Sequence, residues 1–600
     1  VASISRPAML APFSTLRGLA RAGLVACVCL TVPSAAGAQD VSDRIQPELA
    51  TPVAEPATAP VQAADWMVAA ANPLAAEAGA EILKRGGSAI DAMVAVQLVL
   101  GLVEPQSSGL GGGAFLLYWD AAAKKLVTLD GRETAPSAAT PELFLDDKGE
   151  PLEFFDAVIG GRSVGVPGTP RLLEEAHKRW GKLSWPDLFQ PAIRHAEDGF
   201  PVSPRLAGLV AEETDSLARQ ETAKAYFLDD LKAALSGDGR LKNEAYAATL
   251  RLLAEKGADA FYEGPVAEDI VAAIHRFDAN PGVMRLQDLK NYEVKARDPV
   301  CVAYRVYDVC GMGPPSSGGV TVGQILGLLA PYDLAALGPE SVAAWRLIGD
   351  ASRLAFADRG RYLADTDFVP APIKGLLDPA YLKERAKLLE GERLETAEPG
   401  EPQWDHAFNF ADDQAIEFPS TSHFVIVDSD GNVVSMTTTI ENGFGSRLMV
   451  RGFLLNNELT DFSFKSQEDG RPVANRVEPG KRPRSSMAPT IVFRDGAPVL
   501  AIGSPGGSRI IGYVAEALIG ILDWGLDVQE ATALPHVVNR FGTFDLEAGT
   551  SAEDLREGLE ALGYEVETRD LNSGLHAIAI GEDGLSGGAD PRREGIAIGQ

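Results

Sequence analysis

Ser420-Thr421 opens the run Thr421-Ser-His-Phe-Val-Ile-Val-Asp428, and a turn at Ser429-Asp-Gly-Asn432 joins it to Val433-Val-Ser-Met-Thr-Thr-Thr-Ile440. A threonine at the head of a strand becomes a nucleophile when the bond before it is cut. The α-amine released beside its hydroxyl has a pKa near ~8 and acts as general base without a histidine. Taken alone, the segment reads as an ordinary hairpin with surface threonines, and the rest of the chain changes that reading. Two registers are open. A two-residue Asp430-Gly431 turn sets Thr421 opposite Ile440, whereas a three-residue Ser429-Asp-Gly431 loop, with Gly431 left-handed, sets it opposite Thr439.

Gly506-Gly507 follows the apolar stretch Val499 to Ile502 and precedes a helix expected from about Ser508. Two glycines at a strand-to-helix turn can aim successive N–H groups at one point, at the positive end of the helix, as an oxyanion hole requires. A simple turn is the plainer alternative. Gly109-Leu-Gly-Gly-Gly113 lacks the Gly-x-Gly-x-x-Gly spacing and no Gly-Lys-Ser/Thr follows, so nucleotide binding has little support. The seven histidines are scattered without His-x-x-x-His or Cys-x-x-Cys clusters, so neither a metal nor a cofactor is expected.

The elements that must position these residues are legible in outline. Asn72-Pro73 caps a helix predicted over Leu74 to Arg85, which Gly86-Gly87 stops. Ser88-Ala-Ile-Asp91 opens a strongly apolar helix to Val103, too short to span a bilayer and suited to a core. Ala114 to Trp119 reads as an apolar strand. Residues 170 to 290 carry helical patterns. Strands and turns dominate from Val302 onward, with helices near 339–363 and 508–523. Long alternating blocks of both kinds favour an α/β class of layers around sheets. Cys301 and Cys310 flank a short alternating hairpin that turns at Arg305-Val306, which sets them opposite each other. A cross-strand disulfide and two reduced core cysteines are both open.

The chain has 600 residues, 46% hydrophobic and 23% charged, enough for a large core. A net charge of −30 argues against nucleic acid as a partner and for a solvated acidic surface. Residues 1–38 read as a secretory signal: Arg6, Arg17 and Arg21 precede the apolar Ala22 to Val32, and Ala36-Gly37-Ala38 offers a cleavage site before Gln39. The expected location is periplasmic or secreted. Cys27 mimics a lipoprotein site, but the apolar run continues past it; an uncleaved anchor is a further alternative. Residues 39–64, rich in Pro, Ala and Glu, read as a flexible linker, with order beginning near Trp66.

Several motifs, in order along the chain from about Ala70, carry a resemblance. They are Leu129-Asp-Gly-Arg-Glu133, Ser163-Val-Gly-Val-Pro-Gly-Thr169, Pro314-Pro-Ser-Ser-Gly-Gly319, Thr421-Ser-His423, Leu455-Asn-Asn-Glu-Leu-Thr-Asp-Phe462, Ser485-Ser-Met-Ala-Pro-Thr490 and Gly503-Ser-Pro-Gly-Gly507. With them the chain resembles the γ-glutamyltranspeptidase family of N-terminal-nucleophile hydrolases. The resemblance implies a four-layer αββα sandwich, self-cleaved between Ser420 and Thr421 into a large subunit (65–420) and a small catalytic one (421–600) that stay together as a heterodimer. It implies γ-glutamyl transfer from glutathione and other γ-glutamyl compounds to water, amino acids or dipeptides. Thr421 matches the nucleophile and Thr439 its helper, which selects the three-residue loop. Gly506 and Gly507 match the oxyanion hole. Arg132 matches the arginine for the substrate α-carboxylate, suited to a bidentate contact, with Ser485 and Ser486 assisting. Glu458 and Asp461 match the pair that binds the α-ammonium.

Two departures stand out. Glu441 occupies a position where well-known members have Asn, on the strand face of Thr439. It adds an acid near the ammonium or contacts a different acyl group. Lys465 to Arg484 has no aromatic residue where bacterial relatives can carry a tyrosine-bearing lid, so a mobile, wet loop is expected. Two other readings share the fold: an acylase for glutaryl or cephalosporin-type side chains, which Asp461 disfavours, and an inactive binding protein, which Thr421, Thr439 and the glycine pair disfavour.

Overall fold

A computed structural model describes residues 57–600 apart from 407, 408 and 414. The expected signal over 1–38 and the larger part of the expected linker lie outside the described residues. Two seven-stranded sheets pack face to face with helices on their outer sides, giving the four expected layers. One sheet runs Ile596–Gly599, Met67–Ala70, Ser422–Val427, Val433–Thr439, Gly113–Asp120, Lys125–Gly131, Lys295–Arg297. The other runs Val61–Ala63, Gly584–Ala589, His576–Gly581, Ala497–Gly503, Thr490–Arg494, Tyr307–Gly311, Val300–Tyr304. Neighbouring strands within each sheet are antiparallel.

The strand period of two divides the core. Phe424, Ile426, Val434, Met436 and Leu116 face the helices Pro73–Lys84 and Ala89–Val103. Val425, Val427, Val433, Phe115 and Leu117 face the second sheet, whose far side is covered by Gly318–Leu329 and Ile510–Leu522. Covering on both faces explains why the central strands are apolar almost throughout, against the usual alternation of an antiparallel sheet.

All 15 residues of Ala89–Val103 are buried, and Ser88 with Asp91 forms a reciprocal cap at its start. The Asp428 carboxylate accepts the Ala89 N–H at 2.8 Å, placing a negative charge at the helix N-terminus. The same carboxylate accepts the N–H groups of Asp430 at 3.0 Å and Asn432 at 2.9 Å. One end of the catalytic hairpin is thereby fastened to a core helix.

Three expectations meet the structure here. Val61–Ala63 pairs with Leu585 to Gly587, so the linker expected over 39–64 ends earlier than Ala64: the strand Gly584–Ala589 would otherwise offer an open edge. Cys301 lies opposite Cys310 and is disulfide-bonded to it, across a hairpin turning at Arg305 and Val306. The stretch Lys465 to Arg484 is not a loose lid. A small hairpin, Gln467–Glu468 with Arg471–Pro472, stands out, but Val473, Ala474, Val477, Lys481, Arg482 and Arg484 are buried. Charges that looked solvent-facing are paired inside: Lys481 with Glu478 at 2.9 Å, Arg482 with Asp130 at 3.3 Å, Arg484 with Asp413 at 2.7 Å. No helix among the described residues is long and apolar enough to cross a membrane.

Candidate active site

The hairpin adopts the three-residue loop. Ser422 pairs with Thr438 and Val427 with Val433, so Thr421 stands opposite Thr439. Gly431 takes the left-handed conformation at φ 79° that this loop demands. The peptide bond between Ser420 and Thr421 is intact, and both residues are buried. Thr421 Oγ1 lies 3.2 Å from Thr439 Oγ1 and also contacts the Ser420 carbonyl oxygen. Thr439 Oγ1 reaches that carbonyl oxygen at 3.0 Å and accepts the Glu441 N–H at 2.9 Å. Two donors thus enter the Thr439 lone pairs, from Glu441 and Thr421, and its own proton is left to point at the Ser420 carbonyl. Arg593 Nη1 donates to the Thr421 carbonyl at 3.0 Å, and Ser420 Oγ to that of Gln106 at 3.0 Å, so both sides of the bond are held.

Beside this cluster lies Arg132, at the end of the strand Lys125–Gly131 and only 1% exposed. Its Nη1 pairs with Glu458 and its Nη2 with Asp461, while Nε donates to Pro483 O at 3.2 Å and Nη2 to Arg484 O at 2.8 Å. Glu133, Glu441, Glu458 and Asp461 are all buried around this guanidinium. Burial raises all four carboxyls, Glu133 and Asp461 well above the usual range. Glu441 is pushed up to about 8 by burial and by Glu458. Asp461 Oδ1 has no hydrogen-bond partner among the described residues. Glu441 accepts the Phe418 N–H at 3.1 Å and the Asn457 amide, and its backbone sits at φ 75°, a strained conformation for a side-chain-bearing residue.

Ser485 and Ser486 approach the same spot from the buried stretch before Thr490–Arg494. Gly506 and Gly507 have φ of 134° and 59°, and neither tolerates a side chain. A Cβ on Gly506 would meet Tyr513 at 2.7 Å, and one on Gly507 the Phe418 carbonyl at 2.6 Å. Arg132, Thr421, Thr439, Glu441, Glu458, Asp461, Ser485, Ser486 and Gly507 line one cavity; Gly506 sits behind, against Tyr513. That cavity measures only about 20 Å³, scarcely more than a water needs, because the chain's own Glu417, Phe418 and Ser420 share its lining.

Sequence reasoning missed Arg359, Glu417 and Arg593. Each reaches the site from a segment with no nucleophile or glycine signal of its own. Arg484 carried a signal, its position directly before Ser485, but read as part of a charged loop.

The sequence model of the family described as Gamma-glutamyltranspeptidase matches residues 75–600. A glutathione hydrolase proenzyme from Bacillus subtilis (strain 168) is 38% identical over 548 residues, covering 89% of this chain and 91% of that protein. Another from Escherichia coli (strain K12) is 36% identical over 591 residues, covering 96% and 97%. Among solved structures, a cephalosporin acylase from Bacillus halodurans superposes with a TM-score of 0.78 at 28% identity, over 91% of this chain and 98% of the other. The chain belongs to the γ-glutamyltranspeptidase family of N-terminal-nucleophile hydrolases.

Proposed function

We propose that this protein is a self-cleaving γ-glutamyltransferase and glutathione hydrolase, with Thr421 as nucleophile in both reactions. One observation carries the reading: the Thr421 and Thr439 hydroxyls meet the Ser420 carbonyl within hydrogen-bond distance, beside a pocket bearing an arginine and several acids. Thr421 Oγ attacks the Ser420 carbonyl carbon while Thr439 donates to its oxygen. The hydroxyl proton passes to the departing nitrogen as the C–N bond breaks, giving an ester and the Thr421 α-amine, and water then hydrolyses the ester to the Ser420 carboxylate and the free Thr421 hydroxyl. Residues up to Ser420 become the large subunit and those from Thr421 the small one.

In the mature site the new amine takes the Thr421 hydroxyl proton as the hydroxyl attacks a γ-glutamyl carbonyl. The N–H groups of Gly506 and Gly507 receive the oxyanion. Arg132, Ser485 and Ser486 meet the α-carboxylate, and Asp461 with Glu458 the α-ammonium; the unpartnered Asp461 Oδ1 supports this. Water or an amino acid or dipeptide then takes the acyl group. A cephalosporin-type acylase is the second reading, favoured by the structural likeness. A glutaryl group, however, has no ammonium to answer the carboxyls around Asp461. We infer export from the signal-like 1–38 segment; the Cys301–Cys310 disulfide suits an oxidising compartment.

The test is a substrate panel on purified mature protein, comparing γ-glutamyl and glutaryl anilides with and without glycylglycine. The γ-glutamyl anilide should be turned over and the glutaryl one should lag. A glutaryl preference would replace this reading with the acylase, and an unsplit, inert chain would replace both with a binding protein.

A further inference from the structure

Arg132, the residue expected to take the donor carboxylate, also holds Glu458, Asp461 and two backbone carbonyls, which use four of its five N–H groups. A different carboxylate is bound nearby. Glu417 stands four residues before Thr421, is buried, and lines the same cavity as Thr421, Ser485 and Ser486. One of its oxygens accepts from Ser486 Oγ. The other pairs with Arg359 and lies 3.6 Å from Arg484 Nη2. Arg359 also donates to Ser486 Oγ at 2.7 Å and to Ser317 Oγ at 2.8 Å, which fixes its guanidinium. Burial would raise the Glu417 carboxyl, but Arg359, Arg484 and Ser486 outweigh it and hold it below the usual range.

We propose that Arg359 and Arg484 extend the carboxylate site of Arg132, Ser485 and Ser486, that Glu417 fills this extension in the uncleaved chain, and that the donor α-carboxylate takes Glu417's place after cleavage. The proposal rests on the γ-glutamyl reading and deepens it. Charge balance argues for it. In the uncleaved chain the two buried guanidiniums face two carboxylates, Glu417 and Asp413. Asp413 is anchored independently: its N–H donates to Gly360 O at 3.0 Å and its side chain accepts from Asn475 at 3.0 Å. Cutting the bond after Ser420 frees the end of the segment that carries Glu417. Once Glu417 withdraws, two guanidiniums face only Asp413. A buried cation without its partner is costly, so the vacated position favours an anion. Ser486 Oγ, already aimed at a carboxylate oxygen there, adds a hydrogen bond that a halide or a neutral amide would use less well.

The test compares wild-type, Arg484→Leu and Arg484→Lys mature enzymes on a γ-glutamyl anilide and on its α-carboxamide counterpart. Wild type should favour the free carboxylate through KM. Arg484→Leu should raise KM for the carboxylate donor about tenfold or more, with little change for the amide, and Arg484→Lys should restore part of the difference. A processed Arg484→Leu enzyme with the wild-type ratio overturns the proposal. A second arm needs no catalysis. In the uncleaved Thr421→Ala chain, adding Glu417→Ala empties the subsite, so acetate should raise the melting temperature of the double variant and leave Thr421→Ala unmoved, at constant ionic strength against chloride. Equal responses to acetate also overturn the proposal, even where Arg484→Leu fails to mature. A wild-type enzyme inert on both donors would instead refute the γ-glutamyl reading, and the acetate result would still decide whether a carboxylate site exists.

Discussion

The Thr439 hydroxyl donates to the Ser420 carbonyl oxygen at 3.0 Å while accepting the Glu441 N–H at 2.9 Å. Thr439 is therefore oriented before any reaction, with its proton on the oxygen that gains charge when Thr421 attacks. Such pre-aimed donors act where water is excluded, and their loss is felt in the barrier more than in binding. The strained Glu441 backbone, at φ 75°, turns that N–H back onto the strand it has just left.

Thr421→Ala should remain a single chain, since no other hydroxyl is paired across from Thr439 at this bond. Thr439→Ala should still cut, but slowed roughly 10²-fold, the usual effect of losing one oxyanion donor. Denaturing gels over time, with the amino-terminal sequence of the small fragment, check both. A Thr421→Ala protein that splits at Ser420–Thr421 would refute the mechanism.

Arg132→Ala should reduce kcat/KM on a γ-glutamyl anilide by about 30- to several-thousand-fold, the range for removing one member of a desolvated charge pair. The structure adds a folding cost. Glu458 and Asp461 would lose their cation, and breaking a buried pair typically costs about 3–5 kcal/mol. Urea unfolding of Thr421→Ala with and without Arg132→Ala measures that term apart from activity. Unchanged stability would mean the acids shed their charge instead.

Much of this site was written in local sequence, and what was missed shares a cause. Thr421 and Thr439 are read from one hairpin whose residues allow two registers; the family resemblance chose the one adopted, in which Gly431 is left-handed. The alternation of Phe424 and Val425 between two cores follows from the strand period. Glu417 and Arg359 are different: 58 positions separate them, and no periodicity links a helix residue to a segment without regular structure. Lys481 and Arg484 misled because composition records charge but not partners. A run of charges reads as solvated until Glu478 and Asp413 are found beside it. The strand Val61–Ala63 was hidden for a related reason, since a three-residue edge strand is defined by the neighbour it covers.

The Cys301–Cys310 bond should be present in protein isolated from an oxidising compartment, and non-reducing peptide mass spectrometry should recover both residues in one linked fragment. It joins directly opposed residues of a short hairpin, so it closes a small loop and contributes modestly to global stability. Reduction should therefore leave activity largely intact. Free thiols at both positions in protein isolated from an oxidising compartment would contradict the pairing.

Glu441 gives the last prediction, a pH dependence. Burial, with Glu458 second, raises its carboxyl from an ordinary 4.5 to about 8. Between those values the folded chain holds a proton that the unfolded chain has released, so the unfolded state binds fewer protons and stability falls as pH rises. The stabilising proton is fully held below the ordinary value and lost as pH passes through the raised one. Glu441→Gln keeps the shape and removes the titration. In the uncleaved Thr421→Ala background, the melting temperature should drop between pH 5 and 8 by less with Glu441→Gln than without it. Glu133 and Asp461, also raised by burial, sustain the remaining slope. Glu441 accepts the Phe418 N–H in the uncleaved chain; if that segment withdraws after cleavage, the released oxygen is expected to meet the donor ammonium. The Gln variant should then raise KM for γ-glutamyl anilide. Identical melting slopes for the two proteins would show that Glu441 does not carry this proton.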